Sequence, residues 1–257
     1  MNANSIFLGH GRWQFQKVRW SLVPVPYCFT SGSVQLFLFC LSEHLPWFNT
    51  YQEWIGDKEQ RAFLACSSSS SVRQRQAALF LRYYVFSHYL GVPPSAIHFE
   101  YSKDGKPRIL SSSAKEHLFF SQTHTESYTM LALSDAPCGL DLEILRLPSS
   151  YPHLCRRGFP TAWADEFNKQ DPDSHNQQVL FTRYWTILES LYKIQGNGSL
   201  RVFLKALARD GERSEFVCDL NAAGVQFHVG PDHIACLTVT GPLRDVFFYQ
   251  PSVPLIF

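Results

Sequence analysis

The chain has 257 residues, 45% hydrophobic and 15% aromatic, which excludes a disordered polymer and suits one large domain or two small ones. Lys and Arg total 23 against 22 Asp and Glu, a balance that argues against a dedicated nucleic-acid binder while leaving room for a local basic patch. Apolar runs such as Leu36 to Leu41 fall far short of the roughly 20 residues of a membrane span. Ile6 to Leu8 is too short for the core of a signal peptide. The expectation is a soluble cytoplasmic protein, without nucleic-acid or membrane partners.

Seven cysteines, at 28, 40, 66, 138, 155, 218 and 236, form no C-x-x-C pair, which favours reduced thiols over a disulfide framework. No close Cys/His cluster suggests zinc. The first 50 residues, with Pro24, Pro26 and Pro46, carry no legible motif.

Serines at 67–71 and 111–113 read as loop or linker, the first run alternatively as a helix start. Ala78, Leu81, Val85, Phe86 and Tyr89 then recur at helical spacing, so an amphipathic helix is predicted over about 72–90, ending at Gly91 and Pro93. Strands are predicted at 118–121 and 128–133, with Gln122 to Ser127 as the turn between them, and again at 138–144. A long helix over about 179–195 stops at Gly196 and Gly198, and further strands follow within 200–240. Phe120-Ser-Gln-Thr-His with Tyr128-Thr-Met-Leu-Ala-Leu resembles in pattern Phe227-His-Val-Gly-Pro with Ile234-Ala-Cys-Leu-Thr-Val, which suggests a duplication. The fold class expected is α+β, with two similar lobes of a small antiparallel sheet plus helices. The expected boundaries are 1–138 and 139–257.

Gly139-Leu-Asp-Leu-Glu143 can carry chemistry. Residues two apart on a strand point to one side, so Asp141 and Glu143 would bring two carboxylates to one place. A hard divalent cation such as magnesium would relieve their repulsion; a solvated strand end would need no partner. Glu189 and Lys193 are four apart and share a helical face, either as an exposed ion pair or, given the surrounding Trp185, Ile187, Leu188, Leu191 and Tyr192, as part of a site. His124 stands among hydroxyl and amide side chains that could hold a phosphate. Arg73, Arg75 and Arg82 are arginines of the first helix, and Lys103-Asp-Gly-Lys-Pro107 reads as a turn. Each of these alone is an ordinary solvated feature.

The order of these pieces, from Gly105-Lys106-Pro107 through Phe120-Ser-Gln-Thr-His124 and Gly139-Leu-Asp141-Leu-Glu143 to Trp185-x-x-x-Glu189-Ser-x-x-Lys193, resembles the 4′-phosphopantetheinyl transferases of the larger, pseudo-dimeric type named after the surfactin synthetase activator. The resemblance covers roughly 57–205. It implies two lobes in a pseudo-twofold arrangement, with coenzyme A in the cleft between them and a single chain sufficient as a monomer. It implies magnesium at Asp141, Glu143 and Glu189, Lys193 near the phosphates, and Arg73, Lys106, Pro107 and His124 as coenzyme A contacts. The implied activity moves 4′-phosphopantetheine from coenzyme A to a serine of an apo carrier protein, with either Glu189 or a water on the metal as general base. One departure stands out: Leu188 replaces the lysine of the usual W-x-x-K-E, so a cation expected near the phosphates is missing. A non-catalytic module of the same fold that binds coenzyme A or a carrier protein is the alternative. A magnesium-dependent nucleotide enzyme of another fold is disfavoured, because no phosphate-binding glycine loop of the two common types occurs.

Overall fold

A computed structural model describes residues 5–8, 11–21, 32–43, 69–102, 105–110, 118–195, 222–241 and 245–251. In chain order these form β1 (Ser5–Leu8), β2 (Gly11–Phe15), β3 (Ser33–Cys40), α1 (Ser69–Leu90), β4 (His98–Tyr101), β5 (Pro107–Leu110), β6 (Phe119–His124), β7 (Tyr128–Ser134) and β8 (Cys138–Ile144). Then follow α2 (Tyr151–Gly158), α3 (Thr161–Asn168), α4 (His175–Gln195), β9 (Ala222–Val229), β10 (His233–Thr240) and β11 (Asp245–Tyr249). This is a mixed α+β architecture. No described helix is long and apolar enough to cross a membrane.

The chain divides into two compact units, Arg19–Ala136 with Arg244–Phe257 and Pro137–Leu243 with Met1–Val18. The earlier unit holds an ordered sheet β11-β3-β7-β6 and the small hairpin β4-β5; the later one holds β1-β2-β9-β10-β8. Among the described elements, the two units share one sequence of pairings. A strand leads to a long helix and then to a hairpin whose second strand pairs antiparallel with the first strand: β3, α1, β6, β7 in one, β8, α4, β9, β10 in the other. Of the segments whose patterns resemble each other, Phe120 to His124 lies within β6, whereas Phe227 to Pro231 runs from the end of β9 into the turn before β10.

At its ends the chain departs from a division at 138/139. β2 pairs in parallel with β9, so residues 1–18 group with the later unit, and β11 pairs in parallel with β3, so 244–257 group with the earlier one. Parallel partners far apart in sequence leave no local signature.

Helix α1 begins at Ser69, so the described part of the serine run starts the helix. Ala77 to His88 are all buried, Arg82 included, so the middle of α1 is enclosed on every side rather than amphipathic. Phe99 of β4 covers Tyr83 and Phe86 edge-on, while Phe39 and Phe120 pack from the sheet. The run Leu36–Phe39, unassigned by periodicity, is a central strand buried on both faces, where apolar residues no longer alternate with polar ones. Ser111 to Ser113, Gly196, Gly198 and the chain from 199 to 221 lie outside the described residues.

Candidate active site

Strand β8 lies at one end of its sheet, with Asp141 opposite Cys236 of β10. Leu140 and Leu142 fill one face of the strand, and Gly139, Asp141 and Glu143 alternate with them. α4 packs against β8 and β10, and Gly139 sets how closely. A Cβ there would run into the backbone carbonyl of Ser190 and touch the Ile194 side chain. Ser190 is itself fully buried: its hydroxyl shares a hydrogen bond of 2.6 Å with Thr238 Oγ1 and donates to the Ile187 carbonyl at 2.9 Å. Helix and strand therefore meet backbone to backbone, one residue from Glu189 and two from Asp141.

Across this contact Lys193 Nζ donates to Asp141 Oδ1 at 2.8 Å and to the Leu140 carbonyl at 2.9 Å. Lys193 thus reaches across to β8, and Asp141 is 4% exposed. Burial, with Asp141 and then Glu189 adding repulsion, pushes the Glu143 carboxyl up to about 7, against the pull of Lys193 and Arg146. Burial and then Asp141 likewise push Glu189 up to about 7, partly offset by Lys193. Three carboxyl groups from β8 and α4 thus feel one another in a poorly solvated place.

The donor chemistry suits magnesium, since hard carboxylate oxygens in excess of the available positive charge are what such an ion takes. The positions are not those of a finished metal cage. Among the described residues no three Asp, Glu, His or Cys side chains are gathered at ligating range.

The other sequence candidates fall in the earlier unit. Arg73 is exposed on the second turn of α1. Gly105, at φ +78°, makes the turn between β4 and β5 that glycine tolerates best. Lys106 follows it half-buried, its backbone N–H donating to Ser102 Oγ at 3.1 Å, and Pro107 opens β5. His124 is not in a turn but is the last residue of β6, exposed and opposite Thr129; the turn is only Thr125 to Ser127. Lys103 and Asp104 lie outside the described residues.

No family model matches the sequence. The chain is similar to a 4′-phosphopantetheinyl transferase. That relative is HetI of Nostoc sp. (strain PCC 7120 / SAG 25.82 / UTEX 2576), with 34% identity over 116 residues, 44% of this chain and 48% of the relative. The chain thus matches about half the length of that relative. A solved holo-(acyl-carrier-protein) synthase from Bacillus anthracis str. Ames, in complex with CoA (3′,5′-ADP), aligns over 39% of this chain and 92% of its own, with 16% identity and a TM-score of 0.33.

Two positions read differently in the structure than in the sequence. Leu188 is fully buried in a cluster with Cys155, Phe159, Trp163 and Tyr184. Its side chain belongs to the apolar core. Arg82, grouped with the solvated charges, is 8% exposed and lies over the rings of Phe99 and Phe120. It donates to Gln122 Oε1 through Nε and Nη2 at 3.1 and 2.8 Å and to Tyr101 Oη at 3.2 Å. Gln122 is therefore an acceptor for a buried guanidinium rather than a tolerated turn residue; an Arg in a run of aromatic helix residues was the available signal.

Proposed function

We propose that the protein is a 4′-phosphopantetheinyl transferase that converts an apo carrier protein to its holo form. The observation that carries this reading is the acid cluster of Asp141, Glu143 and Glu189 with Lys193 bound into it. The partial likeness to HetI supports the same reaction class. A magnesium ion held by the three carboxylates would supply positive charge against the pyrophosphate of coenzyme A.

The chain's own groups account for the rest. The attacking serine belongs to the carrier protein. Its oxygen forms a bond to the phosphorus that bears the pantetheine arm, the bond from that phosphorus to the bridging oxygen breaks, and adenosine 3′,5′-bisphosphate leaves. Either Glu189 or a water at the metal would accept the serine proton. Lys193, on a flexible stem, steadies phosphate oxygens as charge moves to the leaving group. Arg73 and His124, both exposed, with Lys106 and Pro107, are the proposed contacts to the nucleotide part of coenzyme A.

The test is intact-mass spectrometry of apo carrier proteins incubated with the protein, coenzyme A and magnesium. The expected result is a gain of one phosphopantetheine group, lost on chelation. Measurable coenzyme A binding with no gain on fatty-acid, polyketide or peptide carriers would leave a binding module instead.

A further inference from the structure

Among the described residues β4 and β5 pair only with each other. A two-stranded hairpin is marginal in water unless it packs on something else. Phe99 and Ile109 supply that packing, since both lie against the core around α1. Tyr101 stands two residues beyond Phe99, opposite Pro107. Its hydroxyl oxygen accepts from Arg82 Nη1 at 3.2 Å, while Nε and Nη2 of the same guanidinium donate to Gln122 Oε1 of β6. One planar, rigid fork thus joins the hairpin to β6, two segments that no strand pairing connects. The charge is buried among Phe99 and Phe120, so losing either acceptor is costly and both stay engaged.

Both acceptors adjoin the proposed nucleotide contacts. Tyr101 precedes Ser102, whose N–H donates to the Lys106 carbonyl at 2.9 Å and whose hydroxyl accepts from the Lys106 N–H at 3.1 Å. Gln122 and His124 are two apart on β6 and lie on one side of the strand, the side on which Phe120 meets Phe86 of α1. We propose that Arg82 is a positioning residue for nucleotide binding, which through Tyr101 and Gln122 fixes the Lys106 turn relative to His124. The inference rests on Lys106 and His124 contacting the nucleotide part of coenzyme A, as proposed above. At 8% exposed, Arg82 acts through its acceptors and not as a contact itself.

The experiment is calorimetric titration of the full chain with adenosine 3′,5′-bisphosphate at constant magnesium. Tyr101→Phe deletes only the hydroxyl that Arg82 holds, and Arg82→Lys keeps the charge without the fork. Each should weaken binding at least about fivefold, the lower end of typical coupling between separate sites. In a Lys106→Ala chain, Tyr101→Phe should weaken binding by a much smaller factor, because the side chain it positions is gone. An unchanged affinity in Tyr101→Phe would overturn the positioning role and leave the nucleotide reading standing. The same factor with and without Lys106 would also overturn it, since a merely structural hydroxyl acts alike in both chains. No binding of the bisphosphate by the natural chain would overturn the nucleotide reading and this inference with it. Should Arg82→Lys fail to fold, Tyr101→Phe in the two backgrounds decides.

Discussion

The carbonyl of Ser190 lies where a side chain on residue 139 would begin, so helix α4 and strand β8 touch through backbone at Gly139. That single contact brings Glu189 and Lys193 to the level of Asp141, because each is within a turn of Ser190 or two residues of Gly139. The Ser190–Thr238 hydrogen bond ties the same turn of the helix to β10. A glycine in the acid motif is therefore a spacing device for the site.

Gly139→Ala tests this directly. The added methyl meets backbone, which cannot swing aside, so the loss should reach or exceed the upper end of the roughly 1–3 kcal/mol typical of overpacking. Urea unfolding of the variant should show that loss as a lower midpoint with an unchanged slope. A midpoint within error of the natural chain would mean that the helix can slide and that Gly139 does not set its distance.

Asp141→Asn should lower magnesium-dependent transfer at least about a hundredfold, the scale on which a single electrostatic group acts in a reaction of developing charge. It should also reduce stability by about 1–3 kcal/mol, less than the loss of a fully buried ion pair, because Lys193 is partly exposed. Transfer assays and thermal unfolding on one sample separate the two effects. Undiminished transfer would remove Asp141 from the reaction.

The raised carboxyls give a pH dependence of definite sign. Glu143 and Glu189 ionise near 4.5 when unfolded and near 7 in the fold, so between those values the native state binds more protons than the unfolded one. Their contribution to stability is present below about 4.5 and is lost as pH rises through about 7. Stability without divalent cation should fall across that window, and Glu189→Gln should flatten the fall. Magnesium should raise the melting temperature more at pH 8 than at pH 5, where protons compete for the same oxygens. Equal shifts at both values would mean that these carboxylates are not where the ion binds.

The acid and lysine spacings of the candidate site are legible because these residues sit in short local patterns. The two-residue spacing of Asp141 and Glu143 and the four-residue spacing of Glu189 and Lys193 are read from one strand and one helix each. Lys193 acts electrostatically on Glu189, as the helix spacing suggests, but it also hydrogen-bonds Asp141, a partner from another element that no local period can name. The same limit hid the parallel pairs of β2 with β9 and β11 with β3. The burial of Leu188 is not legible for a different reason: it is decided by helices α2 and α3, whose packing the motif does not contain.

That placement yields a prediction for putting a lysine at 188. Leu188→Lys would put an ammonium into a cluster of Phe159, Trp163 and Tyr184, with the loss of an apolar side chain added to the cost of burying charge. Its destabilisation should match or exceed the roughly 2–5 kcal/mol of a core Leu→Ala change. Transfer per folded molecule should not rise. A gain in turnover at unchanged stability would show that residue 188 reaches the phosphates.

Gln122 offers a separate test in the earlier unit, where it is the acceptor for two N–H groups of Arg82 and its amide donates to the Ala78 carbonyl. Gln122→Leu should cost about 1–3 kcal/mol, because a buried guanidinium loses an acceptor it cannot replace with water. Arg82→Met should cost less in the Gln122→Leu background than alone, since the donors that suffer are then absent. A double-mutant cycle by chemical unfolding measures the difference. Additive losses would mean that the Arg82–Gln122 bonds contribute nothing beyond the packing of Arg82 over Phe99 and Phe120, and the guanidinium would then be held by its aromatic neighbours alone.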